Sequence, residues 1–243
     1  MNNMDNNVFI CGIDIGNEWD FPLRTKHYLE NSDCIVVEHI AEFNKRIRPQ
    51  LNLQKNIELL ELNFSTSRTK PIVDRVIELS KQNKIVSVIA NSGMPTIYDP
   101  GTEIIHGLQE EKLKYTVVPG PSAIINALVA SGFNLNSFMF EGDCNGGKER
   151  LEKFNKIKEN LKENKTVVFF EVVHEAIYHT IQDMHDAFGP KSMVSICIDL
   201  TKPDETIFTG NLKEATDWAK KYSEDRDPNN LNVNITYVCY IVL

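Results

Sequence analysis

Three short glycine turns carry the residues best suited to chemistry in this chain: Gly12-Ile13-Asp14-Ile15-Gly16-Asn17, Asn91-Ser92-Gly93-Met94-Pro95 and Pro119-Gly120-Pro121-Ser122. Each follows a short apolar run and precedes a helical pattern. Each is therefore expected at the carboxyl end of a strand, the edge where open α/β sheets bind ligands. Glycine lets a ligand approach backbone N–H groups closely, and an adjacent proline keeps the loop stiff. Taken singly, any of the three also reads as an ordinary strand-to-helix turn. Neither G-x-G-x-x-G nor G-x-x-x-x-G-K-[ST] occurs, which argues against a pyrophosphate-binding Rossmann site and against a P-loop. A ligand with little phosphate remains, and an adenosine-containing sulfonium compound is one such ligand.

The elements that must position these turns follow an α/β pattern, in which β-rich apolar runs alternate with amphipathic segments. Two α/β domains with mostly parallel or mixed sheets are expected. Strands are expected over 8–11, 34–37, 57–62, 85–90, 115–118, 138–141, 166–170, 193–198, 206–208 and 234–242. Helices are expected over 22–29, 71–79, 123–130, 148–162, 175–188 and 212–222, with a basic amphipathic segment over 41–48. Asp99-Pro100-Gly101 reads as the cap and first turn of a further helix. The composition changes after Ser131, and the boundary is placed to give an N-terminal domain over 1–121 and a C-terminal domain over 122–243.

The bulk properties narrow the function classes. The 243 residues carry a formal net charge of −8, which opposes a protein that coats nucleic acid through a broad basic surface but allows a local basic groove. No apolar run is long enough for a membrane span, and no membrane association is expected. The Asn-rich start, 1–7, lacks the order of a signal peptide and reads as a disordered lead-in. Five scattered cysteines without a C-x-x-C pair suit a reducing, cytoplasmic setting.

Together the turns and their neighbours resemble the tetrapyrrole-methylase superfamily, the class III S-adenosylmethionine-dependent methyltransferases, and most closely its 16S rRNA (cytidine-2′-O)-methyltransferase branch. Ile15-Gly16-Asn17 with Asp20 and Leu23-Arg24 is similar to the family's I-G-N-x-x-D…L-R opening, and the run from Asn91 to Gly101 to its S-D-A-G-T-P-x-I-x-D-P-G signature. Val118 to Ala123, Asn126 to Leu128 and Ala130 to Gly132 resemble P-G-P-S-A…A-L-x-A-S-G. Phe138 to Gly142 resembles F-x-F-E-G, Phe169-Phe170-Glu171 with His174 resembles F-Y-E-S-P-H, and Leu200-Thr201-Lys202 with Glu205 and Gly210 resembles E-L-T-K…E…G. The likeness runs from the first strand to about Lys220. Four departures stand out. Of the branch's E-D-T-R element only Glu38 remains, Asn91 replaces an aspartate, Ile13-Asp14 replaces Thr-Pro, and Val173 replaces a proline.

The resemblance implies a homodimer of paired α/β domains with S-adenosylmethionine in the cleft between the domains. It implies cofactor contacts at Gly12, Ile15, Gly16, Asn91, Gly93, Met94, Pro95, Tyr98, Pro121, Ser122, Ala123, Phe170 and Thr201. The implied reaction is methyl transfer to a ribose 2′-hydroxyl of structured RNA, with RNA or the small ribosomal subunit as partner.

Such a transfer is an in-line displacement, and a ribose hydroxyl needs a base or a cation to help it react. Lys202, Glu171 and Lys148 are the catalytic candidates. Lys202 reads either as a substrate contact or as a solvated loop lysine. Glu171 reads either as a reactive carboxylate at a strand end or as a helix N-terminal charge. His174, three residues on, lacks the second ligand pair that a metal site needs, and no metal is expected. His27, His39, His106, His179 and His185 read as surface or partly buried polar residues, and Asp20 and Arg24 as a structural pair.

The charged segment 148–162 reads as a solvated face or as a flap contacting phosphates, and Asn44-Lys45-Arg46-Ile47-Arg48 as a tighter basic cluster, either a contact for RNA or the ribosome or a plain surface helix. Two further functions stay open: the same fold and cofactor with a tetrapyrrole, peptide or small-molecule acceptor, and a non-catalytic S-adenosylmethionine binder acting through interaction.

Overall fold

The computed structural model describes residues 6–53, 56–63, 66–133, 136–144, 146–160, 166–173, 177–224 and 236–242. The chain divides into two compact units, Met1–Ser122 and Ala123–Leu243.

The first unit holds strands β1 (Val8–Cys11), β2 (Cys34–Val37), β3 (Glu58–Glu61), β4 (Val86–Val88) and β5 (Thr116–Val118), with helices α1 (Leu23–Asn31), the single turn α2 (Ile40–Glu42), α3 (Thr66–Lys81) and α4 (Thr102–Glu110). Its sheet is parallel throughout, in the order β3-β2-β4-β1-β5. Parallel strands require crossover connections, which place helices on both faces and bury both. The alternation along β1 shows this directly. Val8 and Ile10 enter a core shared with Val76 of α3 and Ile104 and Leu108 of α4, whereas Phe9 and Cys11 enter one shared with Leu29, Phe43 and Ile47. Phe9 stacks on Tyr28 of α1 at 3.7 Å between ring centroids.

This strand order matters for the glycine turns. They leave β1, β4 and β5, three neighbours in the sheet although far apart in sequence, so all three meet at one carboxyl edge.

The second unit holds α5 (Ala123–Ser131), β6 (Phe138–Asp143), α6 (Gly147–Asn160), β7 (Thr166–Val173), α7 (Ile177–Phe188), β8 (Met193–Ile198), β9 (Thr206–Asn211), α8 (Leu212–Glu224) and β10 (Thr236–Val242). Its sheet is mixed, in the order β6-β7-β10-β8-β9, with β6 and β7 parallel and the other pairs antiparallel. Phe169, Ile196, Ile198 and Tyr240 pack one face against α6, α7 and α8. On the opposite face the Cys197 thiol approaches the Ala127 carbonyl of α5 at 3.8 Å.

Several sequence expectations need adjustment. The helix after Asp99-Pro100-Gly101 begins at Thr102 with Gly101 as its N-cap, so Asp99 is not the cap; Gly101 takes φ 127°, open to glycine alone. The strand expected over 166–170 continues to Val173, because β10 pairs with it along Val167 to Val173. Glu171 therefore lies within a strand and does not begin a helix. The strand expected over 138–141 runs on to Asp143, which shortens the loop expected after it. His174, 161–162, 175–176 and 234–235 lie outside the described residues.

The charges of α6 also differ from a plain solvated face. Arg150 is buried, donating to Asp183 (2.6 Å) and Thr180 (2.7 Å) of α7. Lys153 donates to the carbonyls of Glu141 and Asp143, and Lys158 to that of Ala187, all at 2.6 Å. Three of the helix's cations thus fasten it to its own unit. All five cysteines are buried and outside any disulfide, and burial pushes the Cys11, Cys34 and Cys239 thiols up to about 12.

Candidate active site

At the carboxyl edge of the first sheet the turns are bonded backbone to backbone. Gly12 N–H donates to the Val118 carbonyl (3.0 Å), prolonging the β1–β5 ladder. Ile13 N–H donates to the Gly93 carbonyl (2.9 Å), and Gly93 N–H returns a bond to the Asp14 carbonyl (3.1 Å). Gly12 and Gly120 face each other so closely that a Cβ on Gly120 would stand 2.7 Å from Gly12 Cα. A Cβ on Gly12 would overlap Met94 Sδ. Gly93 takes φ 67°, and a Cβ there would reach Ile15 Cγ2 and the Pro121 carbonyl at 3.5 Å. Thr25 of α1 donates to the Gly12 carbonyl (2.7 Å) from a buried hydroxyl. Gly12, Ile15, Gly93, Met94 and Pro121 are thereby gathered in one place, with Pro95 and Tyr98 further along the Asn91–Gly101 loop.

A charged framework unrecognised in the sequence supports this edge. Asp14 is fully buried, and its Oδ1 accepts from Gly16 N–H (2.9 Å) and from Arg46. The second Nη of Arg46 donates to the Asn91 carbonyl. One guanidinium therefore ties the first turn to the second. Asp14 Oδ2 has no partner among the described residues. Asn91 is held twice more: its N–H donates to Glu38 Oε2 (3.2 Å), and its side-chain amide to His39 Nδ1 (2.8 Å). In the sequence Arg46 groups with Lys45 and Arg48 as surface charge. The only sequence hint of this pair is the aspartate standing where the family pattern has proline, and its partner lies 32 residues on.

Asp99 is likewise invisible as a site residue in the sequence. Burial and, behind it, the Glu38 charge push its carboxyl from 3.8 up to about 7. The folded state thus prefers protonated Asp99. Its stabilising contribution is complete below about pH 4, wanes as pH rises towards 7, and is lost above that. Thermal midpoints measured across this range should fall with rising pH more steeply in the wild type than in Asp99→Asn. Equal slopes would refute the assignment.

The second-unit candidates also share an edge. β6, β7 and β8 run in one direction, so their carboxyl ends lie together. Glu171 of β7 pairs with Val238 of β10, which pairs with Ile198 at the end of β8. Two strand spacings, ~10 Å, separate the backbones of Glu171 and Ile198. Phe170 lies one residue before Glu171 and accepts from Cys144 N–H through its carbonyl (3.0 Å). Lys148 is the second residue of α6, just beyond β6. The side chains of Glu171 and Lys148 lie outside the described set.

After β8 the chain makes a tight, strained turn, with Asp199 at φ 49° and Thr201 at φ 69°, the latter unusual for a β-branched residue. Lys202 Nζ donates to Asp199 Oδ1 (2.6 Å), and Thr201 N–H to Glu205 Oε2 (2.7 Å), which hold the turn in place. Thr201 Oγ1 is buried without a partner among the described residues. Ser122 ends the first unit and Ala123 opens α5 of the second. No cluster of three or more metal-ligating side chains occurs among the described residues, and no helix described is long and apolar enough to cross a membrane.

Residues 7–216 match the family model described as Tetrapyrrole (Corrin/Porphyrin) Methylases. The chain is 33% identical over 208 residues to the protein of Thermotoga maritima named ribosomal RNA small subunit methyltransferase I, covering 86% of this chain and 89% of that one. A protein of the same name from Vibrio cholerae is 30% identical over 211 residues, covering 87% and 70%. Among solved structures, a cobalt precorrin-4 methyltransferase superposes with a TM-score of 0.62 at 14% identity, covering 97% of this chain and 93% of that one. The uroporphyrin-III-C-methyltransferase of Thermus thermophilus gives 0.56 at 18%, covering 96% and 93%. At such identities the structures speak for the fold alone.

Proposed function

Because the chain belongs to the tetrapyrrole (corrin/porphyrin) methylase family, we propose that this S-adenosylmethionine-dependent methyltransferase acts on a ribose 2′-hydroxyl of small-subunit ribosomal RNA. The observation that carries the reading is the likeness, along most of both chains, to the Thermotoga maritima protein named for that RNA.

S-adenosylmethionine, when bound, supplies a methyl carbon made electrophilic by its sulfonium. The residues present suit such a ligand, which needs neutral backbone contacts more than a phosphate cradle. Gly93 offers bare backbone beside Ile15 and Pro121, and Thr201 Oγ1 is a buried hydroxyl without a partner among the described residues. Gly12, Ile15, Gly16, Asn91, Gly93, Met94, Pro95, Tyr98, Pro121, Ser122, Ala123, Phe170 and Thr201 are the residues assigned to it.

The acceptor hydroxyl loses a proton as its bond to the methyl forms, so a proton acceptor and a cation facing the developing alkoxide both lower the barrier. Glu171 is assigned the first role. Lys202 takes the second, as a cation held in place by Asp199 Oδ1. Lys148, at the start of α6, is a further cation for the RNA. The setting is read as a reducing cytoplasm, and the assembly as a pair of identical copies.

The test is release of S-adenosylhomocysteine with small ribosomal subunits, tetrapyrroles or peptides offered as acceptors. Turnover is expected with the subunits; turnover confined to a tetrapyrrole or peptide would transfer the assignment to that acceptor. Lys202→Ala is expected to lower kcat about tenfold, a modest loss because the ammonium is shared with Asp199. Donor affinity by calorimetry should change less than kcat, because the bond from Thr201 N–H to Glu205 still holds the turn. An unaltered kcat would remove Lys202 from the mechanism.

A further inference from the structure

The segment after β2, Glu38 to Arg48, carries three cations, Lys45, Arg46 and Arg48, against two carboxylates, Glu38 and Glu42, in a chain of net charge −8. Phe43 and Ile47 are buried and anchor it to the core, while Lys45 and Arg48 are exposed. Residues Phe43–Ile47 form a π-helical turn, which sends Arg46 toward the glycine edge. Of its five N–H donors, one is taken by Asp14 and one by the Asn91 carbonyl. Its side chain is 31% exposed, while that of Asp14 is completely enclosed. A buried carboxylate behind a partly exposed guanidinium fixes the direction of the fork and, among the described residues, leaves its other donors for an anion, an arrangement suited to phosphate oxygens.

We propose that Arg46, oriented by Asp14 and flanked by Lys45 and Arg48, grips the phosphate backbone of the RNA substrate at the carboxyl edge of the first sheet. The proposal rests on the reading of RNA as acceptor. Asp14 serves as a positioning residue that acts through Arg46. The overall negative charge does not oppose the contact at working salt, because screening over ~10 Å at 0.1 M leaves the local cluster to decide. Such contacts position the RNA without reading its sequence.

The experiment measures binding of a full-length small-subunit rRNA transcript to the full chain across a series of salt concentrations. The double variant Lys45→Ala/Arg48→Ala changes only exposed side chains, so folding is preserved and thermal unfolding verifies this. It is expected to weaken binding about tenfold at 0.1 M salt and to lower the salt slope by about 2, one for each cation withdrawn from a phosphate. Arg46→Lys keeps the charge but cannot fork between Asp14 and Asn91, and should weaken RNA binding severalfold; because it also loosens the tie between the first two turns, the double variant carries the test. If the wild type binds the transcript and the double variant matches its affinity and slope, the grip is overturned while the RNA reading survives. If the wild type itself neither binds the transcript nor methylates small subunits, the RNA reading falls and the grip falls with it.

Discussion

Arg46→Leu should lower the stability of the protein by about 3 kcal/mol, because it strands the buried Asp14 carboxylate. Asp14 is fully enclosed, and one of its oxygens already lacks a partner among the described residues. Without the guanidinium, Gly16 N–H would be the one donor left among the described residues to offset the charge. The loss should sit near the lower end of what a broken buried ion pair costs, since Arg46 is itself partly exposed. The double variant Asp14→Asn/Arg46→Leu removes the stranded charge and keeps an acceptor for Gly16, so it should recover most of the stability. Urea denaturation of the full chain measures both variants. If the double variant is no more stable than Arg46→Leu alone, the cost lies in the packing of the arginine stem and not in the buried charge.

The second large effect concerns Gly120. Its φ lies outside the left-handed region, so alanine meets no backbone penalty there. The cost comes from steric overlap alone. The new Cβ would stand 2.7 Å from Gly12 Cα and from its carbonyl carbon, both main-chain atoms that no rotamer change can move aside. Overpacking of this kind costs about 1–3 kcal/mol, and here it is relieved only by separating two of the turns assigned to the methyl donor. Gly120→Ala should therefore raise KM for S-adenosylmethionine about thirtyfold or more, while kcat at saturating donor falls much less. Calorimetry of donor binding checks the same point without an acceptor. Unchanged donor affinity would separate the glycine turns from the cofactor.

The fold was largely legible in the sequence because its central strands are rich in apolar residues and two of them, β1 and β2, are unbroken apolar runs. β1 and β2 begin and end where hydropathy places them, since burial on both faces leaves no polar interruption, and β8 keeps its bounds with Ser195 alone breaking the run. β7 was harder to bound. Glu171 looks like a terminator in one dimension, yet the ladder to β10 carries the strand through it. The glycine turns announced themselves by residue type and position. Their convergence depends on the strand order β4-β1-β5, which no local pattern encodes. The Asp14–Arg46 pair was out of reach for a related reason: a carboxylate in a turn and an arginine in a basic stretch each look solvated until the chain brings them together. The cations of α6 show the same limit, for nothing in 148–162 foretells that Arg150 will reach Asp183.

The assignment of a ribose acceptor is tested most directly by following the methyl group itself. Small ribosomal subunits from cells lacking the corresponding methylation are incubated with the protein and methyl-tritiated S-adenosylmethionine, and the RNA is digested to nucleosides. The label is expected in a single 2′-O-methylnucleoside of the small-subunit RNA. Label on a base, on protein or on a tetrapyrrole, with none on ribose, would contradict that assignment.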